Sequence, residues 1–155
     1  MNYAPIYVVP LYNAVANDGL TDHSGSSRDP SAVGTFTLDI DTPRYNTALA
    51  FSGSASKYVY LGSRVRYLDT GFTLSIRFKT TTTNIEQVLI DNGVNGNYGI
   101  RLYIGADNKI KAGYGTGSTI ITIEGSELQT NTWYMATLTW DLNTIKLYLN
   151  GVIDT

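Results

Sequence analysis

Tyr134-Met135-Ala136-Thr137-Leu138-Thr139-Trp140, then Asp141-Leu142-Asn143-Thr144, then Ile145-Lys146-Leu147-Tyr148-Leu149: this run decides the fold. In its first part Ala136, Leu138 and Trp140 fall on one side and Met135, Thr137 and Thr139 on the other, which is the two-residue period of a strand. In its last part Ile145, Leu147 and Leu149 alternate with Lys146 and Tyr148. Asp141 to Thr144 is therefore predicted to be the turn of a hairpin.

The same rhythm extends in both directions. Phe72, Leu74, Ile76 and Phe78 alternate with Thr73, Ser75, Arg77 and Lys79, and Tyr98, Ile100, Leu102 and Ile104 with Gly99, Arg101 and Tyr103. Shorter strands are predicted at Thr35 to Ile40, Ala48 to Ser52, Tyr58 to Leu61, Gln87 to Ile90, Lys109 to Tyr114 and Thr119 to Ile123. About ten strands separated by Gly, Asn, Asp and Ser clusters, with almost no helical period, predict an all-β antiparallel jelly-roll sandwich. Asn17 to Val33 is polar and is read as a long surface loop. Asn92 to Asn97 holds two Asn-Gly pairs, a strong turn signal. Pro5 and Pro10 bracket Ile6 to Val9, which suits an edge strand.

The composition excludes several classes of function. The 155 residues fit one domain, read as 1–155. Charged residues are 15% of the chain, and the 11 basic and 13 acidic residues are scattered singly, so no basic stripe is available to neutralise phosphates. Nucleic acid is not an expected partner, and no apolar run is long enough to insert in a membrane. With no cysteine and one histidine, His23, there is no thiolate nucleophile and no Cys-ligated metal site. The start MNYAPIYVVPLY lacks the order of an export signal. A virion component, made in a host cytoplasm and working outside it, accommodates both observations.

Around the deciding hairpin the order of residues also resembles a known family. Thr132-Trp133-Tyr134 to Trp140-Asp141, followed by Leu147-Tyr148-Leu149-Asn150-Gly151, looks like the tryptophan, strand, aspartate turn and L-Y-x-N-G signature of laminin G-like domains in the concanavalin A-like lectin/glucanase superfamily. Asp22-His23-Ser24-Gly25, Ala48 to Gly53 and Phe72 to Phe78 resemble three further elements of that family. Phe78 stands where the family strand has tryptophan, and Asn46 or Thr47 where it has an early glycine. The resemblance implies a non-catalytic structural or adhesive module with a glycan or a protein as partner. An accessory carbohydrate-binding domain of a secreted glycosidase or bacterial surface protein is the alternative. It also implies a further strand after the Asn150-Gly151 turn. The sequence thus suggests an open edge beside Ile145 to Leu149, filled by residues beyond Thr155 or by another chain in an oligomer.

Catalytic chemistry finds little support. Retaining glycoside hydrolysis needs two carboxylates about 5 to 5.5 Å apart, and no E-x-D-x-x-E triplet occurs. Glu124 and Glu127 straddle Gly125-Ser126 in what reads as a loop. His23 has only Asp22 and Ser24 beside it, and chain neighbours do not reproduce a triad. Gly113-Tyr114-Gly115-Thr116-Gly117 has no helix N-terminus to receive a phosphate. The laminin G-like rim commonly carries calcium, and Asp91, Asn92, Asn95 and Asn97 are the candidate oxygen ligands; turn formation explains the same residue types. A sugar has an apolar face and a ring of hydroxyls, so Tyr103, Tyr114 and Tyr148 are the candidate ligand-binding residues, with cross-strand pairing as the competing role. Trp133 and Trp140 are assigned to the core.

Overall fold

The computed structural model describes residues 31–34, 37–39, 48–51, 53, 58–60, 71–92 and 99–155. The chain forms two compact units, Met1–Val65 and Arg66–Thr155. In the first, β1 (Ser31–Val33) pairs antiparallel with β4 (Tyr58–Tyr60), and β2 (Thr37–Asp39) with β3 (Ala48–Ala50). Ser31–Val33 lies inside the segment read as a loop. Its pairing with β4 supplies ladder partners that outweigh the polar local composition.

The second unit contains two four-stranded antiparallel sheets. One has the order β12 (Val152–Ile153), β11 (Ile145–Leu149), β10 (Trp133–Trp140), β5 (Phe72–Lys79). The other has the order β6 (Gln87–Asp91), β7 (Ile100–Ile104), β8 (Lys109–Gly115), β9 (Ile120–Glu127). The alternation read from the sequence now has a cause. Ala136, Leu138 and Leu147 in the first sheet and Leu102, Ile110 and Ala112 in the second are fully buried, each fully buried Leu or Ile contributing about 1.5 to 3 kcal/mol. The aromatic rings of Tyr114 on β8 and Trp140 on β10 lie 5.0 Å apart, so the two inner faces meet as a sandwich.

Two turns show why particular residues are needed. Asp141 Oδ1 accepts from the backbone N–H of Thr144 at 2.7 Å and of Asn143 at 3.0 Å, closing the predicted β10–β11 hairpin. Those hydrogen bonds, Thr144's first, hold the Asp141 carboxyl below its ordinary value of 3.8. A carboxylate depressed in the folded state stabilises the fold above its unfolded value, and that contribution is lost as pH falls through the folded value. Asp141→Asn should therefore melt below the parent at pH 6, with the gap closing as both are melted toward pH 2. At the second turn Asn150 and Gly151 have φ of 52° and 83°, the left-handed pair of a tight hairpin turn. Asn150 also extends the ladder of β10, donating its N–H to Met135 O at 2.8 Å and accepting the Met135 N–H on Oδ1 at 2.9 Å.

This turn corrects the expectation of an open edge beside Ile145 to Leu149. β12 pairs with β11, and beyond it Leu147 donates to Thr155 O at 2.7 Å and accepts from Asp154 N at 2.8 Å. The chain's own residues 152–155 cover that edge. A second correction concerns Glu124 and Glu127, which lie in β9 rather than in a loop. Their strand is held by β8 through an irregularity between Lys109 and Lys111 that resets the register.

Candidate functional site

On the outer face of the first sheet, cross-strand pairing sets Lys79 opposite Trp133 and Arg77 opposite Met135. Trp133 is thus on the outer face, correcting its assignment to the core; it shares the parity of Met135, Thr137 and Thr139. The Arg77 guanidinium lies 5.3 Å from the Trp133 ring centroid, and Lys79 Nζ 5.2 Å from it. Such cation–π contacts are worth about 0.5 to 1 kcal/mol when exposed. Beside them is a shallow groove of about 350 Å³ lined by Arg77, Trp133, Tyr134, Met135, Asn150 and Gly151. Among the described residues no carboxylate pairs with Arg77, and none lines the groove. Asn150 Oδ1 is engaged by Met135, which leaves the Nδ2 donors facing no acceptor among the described residues.

The outer face of the second sheet has more charge, but the charges satisfy one another. Arg101 pairs with Glu86 at 2.7 Å and Asp91 at 3.4 Å, and Lys111 with Asp107 and Glu124, each at 2.8 Å. Arg101 Nε is buried and not aligned for a hydrogen bond with Asp91 despite its proximity. The Lys111 hydrogen bond lowers the Asp107 carboxyl, and Asp107, then Glu124, raise the Lys111 ammonium. This is a closed network on the surface, with little net charge left for a ligand.

The three candidate tyrosines do not converge. Tyr103 lies on the outer face of the second sheet, its ring 4.9 Å from the Arg101 guanidinium. Tyr114 shares the parity of buried Ile110 and Ala112 and faces inward against Trp140, away from the outer face of its sheet. Tyr148 lies on the outer face of the first sheet, opposite Thr137 and Ile153, and alone of the three shares a face with the groove. Arg77, Trp133 and Asn150 were not read from the sequence as binding residues, although the parity of Trp133 with Met135 was a usable signal.

The calcium candidates are only half described, Asn95 and Asn97 lying outside the described residues. Asp91 faces the Arg101 guanidinium, and Asn92 uses its N–H on Ile100 O at 2.9 Å. No group of three or more His, Asp or Glu side chains suited to a metal occurs among the described residues. A cation at Asp91 would sit beside the Arg101 guanidinium, 3.4 Å from one carboxylate oxygen, and that like charge weakens the described part of the site. We expect 10 mM calcium to raise the melting temperature by less than about 2 °C, whereas a millimolar site would give a shift of about 5 °C.

Two facing antiparallel sheets with a grooved outer face define a lectin-like β-sandwich. The chain belongs to the concanavalin A-like lectin/glucanases superfamily, a laminin G model of which matches residues 52–154. No curated protein matches it. A solved structure similar to it is the IT-sialidase CBM40 of Ruminococcus gnavus bound to alpha2,3 sialyllactose. That match has 26% identity and a TM-score of 0.46, and covers 57% of this chain and 52% of that one. The chain thus spans about half the length of the structure it matches.

Proposed function

We propose that the chain is a non-catalytic carbohydrate-binding module. The observation that carries this reading is the groove beside Trp133, where an indole and the Met135 thioether offer apolar contact and Asn150 and Arg77 offer donors to hydroxyl oxygens. Met135 is 48% exposed, so ligand would remove apolar surface from water there. Membership of a lectin/glucanases superfamily supports the reading, as does the engagement of Glu86 with Arg101 and of Glu124 with Lys111 in ion pairs. A protein partner is the second reading, favoured by Val152 and Ile153, which are 68% and 58% exposed at the end of the same sheet.

Immobilised glycan panels should retain the protein, Trp133→Ala should lose at least about tenfold in affinity, and no reducing ends should be released from polysaccharides. Failure to bind any glycan, or hydrolysis abolished by Glu124→Gln, would overturn the module reading. A virion component, assembled with further copies, is the setting we propose. A cysteine-free chain suits synthesis in a reducing compartment. The alternative setting, an accessory domain of a secreted glycosidase or bacterial surface protein, is distinguished by the domains encoded in the same reading frame.

A further inference from the structure

We infer that the groove selects sugars bearing a carboxylate, with Arg77 as the specificity-determining residue. The inference rests on the carbohydrate reading and deepens it. Two arginines on the outer faces make the contrast. Arg101 has Glu86 and Asp91 around it, so its charge is already answered within the protein. Arg77 has an exposed position in β5, an indole beside it and no carboxylate partner among the described residues. The guanidinium carbon lies 5.3 Å from the Trp133 ring centroid, and no Arg77 N–H donor is hydrogen-bonded among the described residues. Those donors form a planar fork that matches a carboxylate in a two-point contact.

The neighbours suit the rest of such a sugar. Asn150 contributes its Nδ2 donors to ring hydroxyls, and Met135 with the indole contacts apolar C–H groups. Gly151 lines the same end of the groove, where its φ of 83° favours glycine and a Cβ would face open space. The unanswered positive charge next to an uncharged polar lining is what a neutral sugar does not need and a carboxylated one uses.

The test compares the full chain against polygalacturonate, polysialic acid, dextran and dextran sulfate by calorimetry at 50 and 300 mM salt. We expect one or both carboxylated polymers to bind more tightly than dextran, with polygalacturonate and polysialic acid distinguishing a hexuronate from a sialic acid source. Arg77→Gln should weaken that binding about 10- to 100-fold, and Arg77→Lys, which keeps the charge but loses the fork, should recover only part of it. Lys109→Gln, an equal change of charge on the other sheet, should leave the affinity as it was. Thermal melts of each variant guard against a folding defect. Equal binding of dextran and the carboxylated polymers, equal binding of dextran sulfate, or full rescue by Arg77→Lys would overturn the inference while leaving glycan binding intact. Binding to none of the four and to no other glycan would overturn the carbohydrate reading itself.

Discussion

Leu138→Ala is expected to cost about 3 kcal/mol, within the range of roughly 2 to 5 kcal/mol for buried leucine truncations. That is a fall in melting temperature of about 10 °C for a protein of this size. Leu138 is fully buried at the centre of β10, with Leu74 of β5 on one side and Leu147 of β11 on the other. All three belong to strands of a regular ladder, so the backbone has little freedom to collapse into the space a lost isobutyl group leaves. Most of the cavity should therefore persist. The neighbouring Thr137 provides the control, since it points to the outer face and its hydroxyl shares a 2.9 Å hydrogen bond with Ser75. Thr137→Ala should cost no more than about 1 kcal/mol. Chemical denaturation of both variants reads the difference, and equal costs would refute the burial contrast between the two faces of β10.

That contrast between adjacent residues marks how far the sequence could be read. Face assignment needs only the parity of a strand, so Ala136, Leu138 and Leu147 were legible, and Tyr114 would have been read inward had its parity with Ile110 and Ala112 been weighed above its aromatic character. The groove was less accessible. It depends on which β5 residue lies opposite which β10 residue, and the pairing of Arg77 with Met135 joins positions far apart in the chain. Nothing local specifies that register. β12 has two residues, too few to display a period, although Asn150-Gly151 announced a hairpin and so a returning strand. The calcium candidates were ambiguous for a different reason: Asn and Asp serve turns and oxygen coordination equally well, and of the four only Asp91 has a charged neighbour described, the Arg101 guanidinium.

The carboxylate of Asp154 was equally hidden in the sequence, and it should produce a second large effect. It follows β12 in the first sheet and reaches β9 in the second, accepting hydrogen bonds from the Ser126 backbone N–H at 2.7 Å and from the Ser126 hydroxyl. Gly125 makes the approach possible, because a Cβ at that position would collide with the Asp154 carboxylate and come within 2.9 Å of Ile110 Cγ2. Gly125→Ala must therefore either expel the carboxylate or distort β9. Losing charge-assisted hydrogen bonds costs about 1.5 to 3 kcal/mol, and overpacking against Ile110 adds about 1 kcal/mol or more. We expect Gly125→Ala to cost about 3 kcal/mol and Asp154→Ala about 2 kcal/mol, within the ranges that overpacking and lost hydrogen bonds span. The two should not add. With the carboxylate already gone, an alanine at 125 meets only Ile110, so in the Asp154→Ala background its cost should drop to about 1 kcal/mol, a coupling of the size seen between contacting residues. Urea denaturation of the four proteins measures the cycle, and strict additivity would show that Gly125 is required for some reason other than the passage of Asp154 between the sheets.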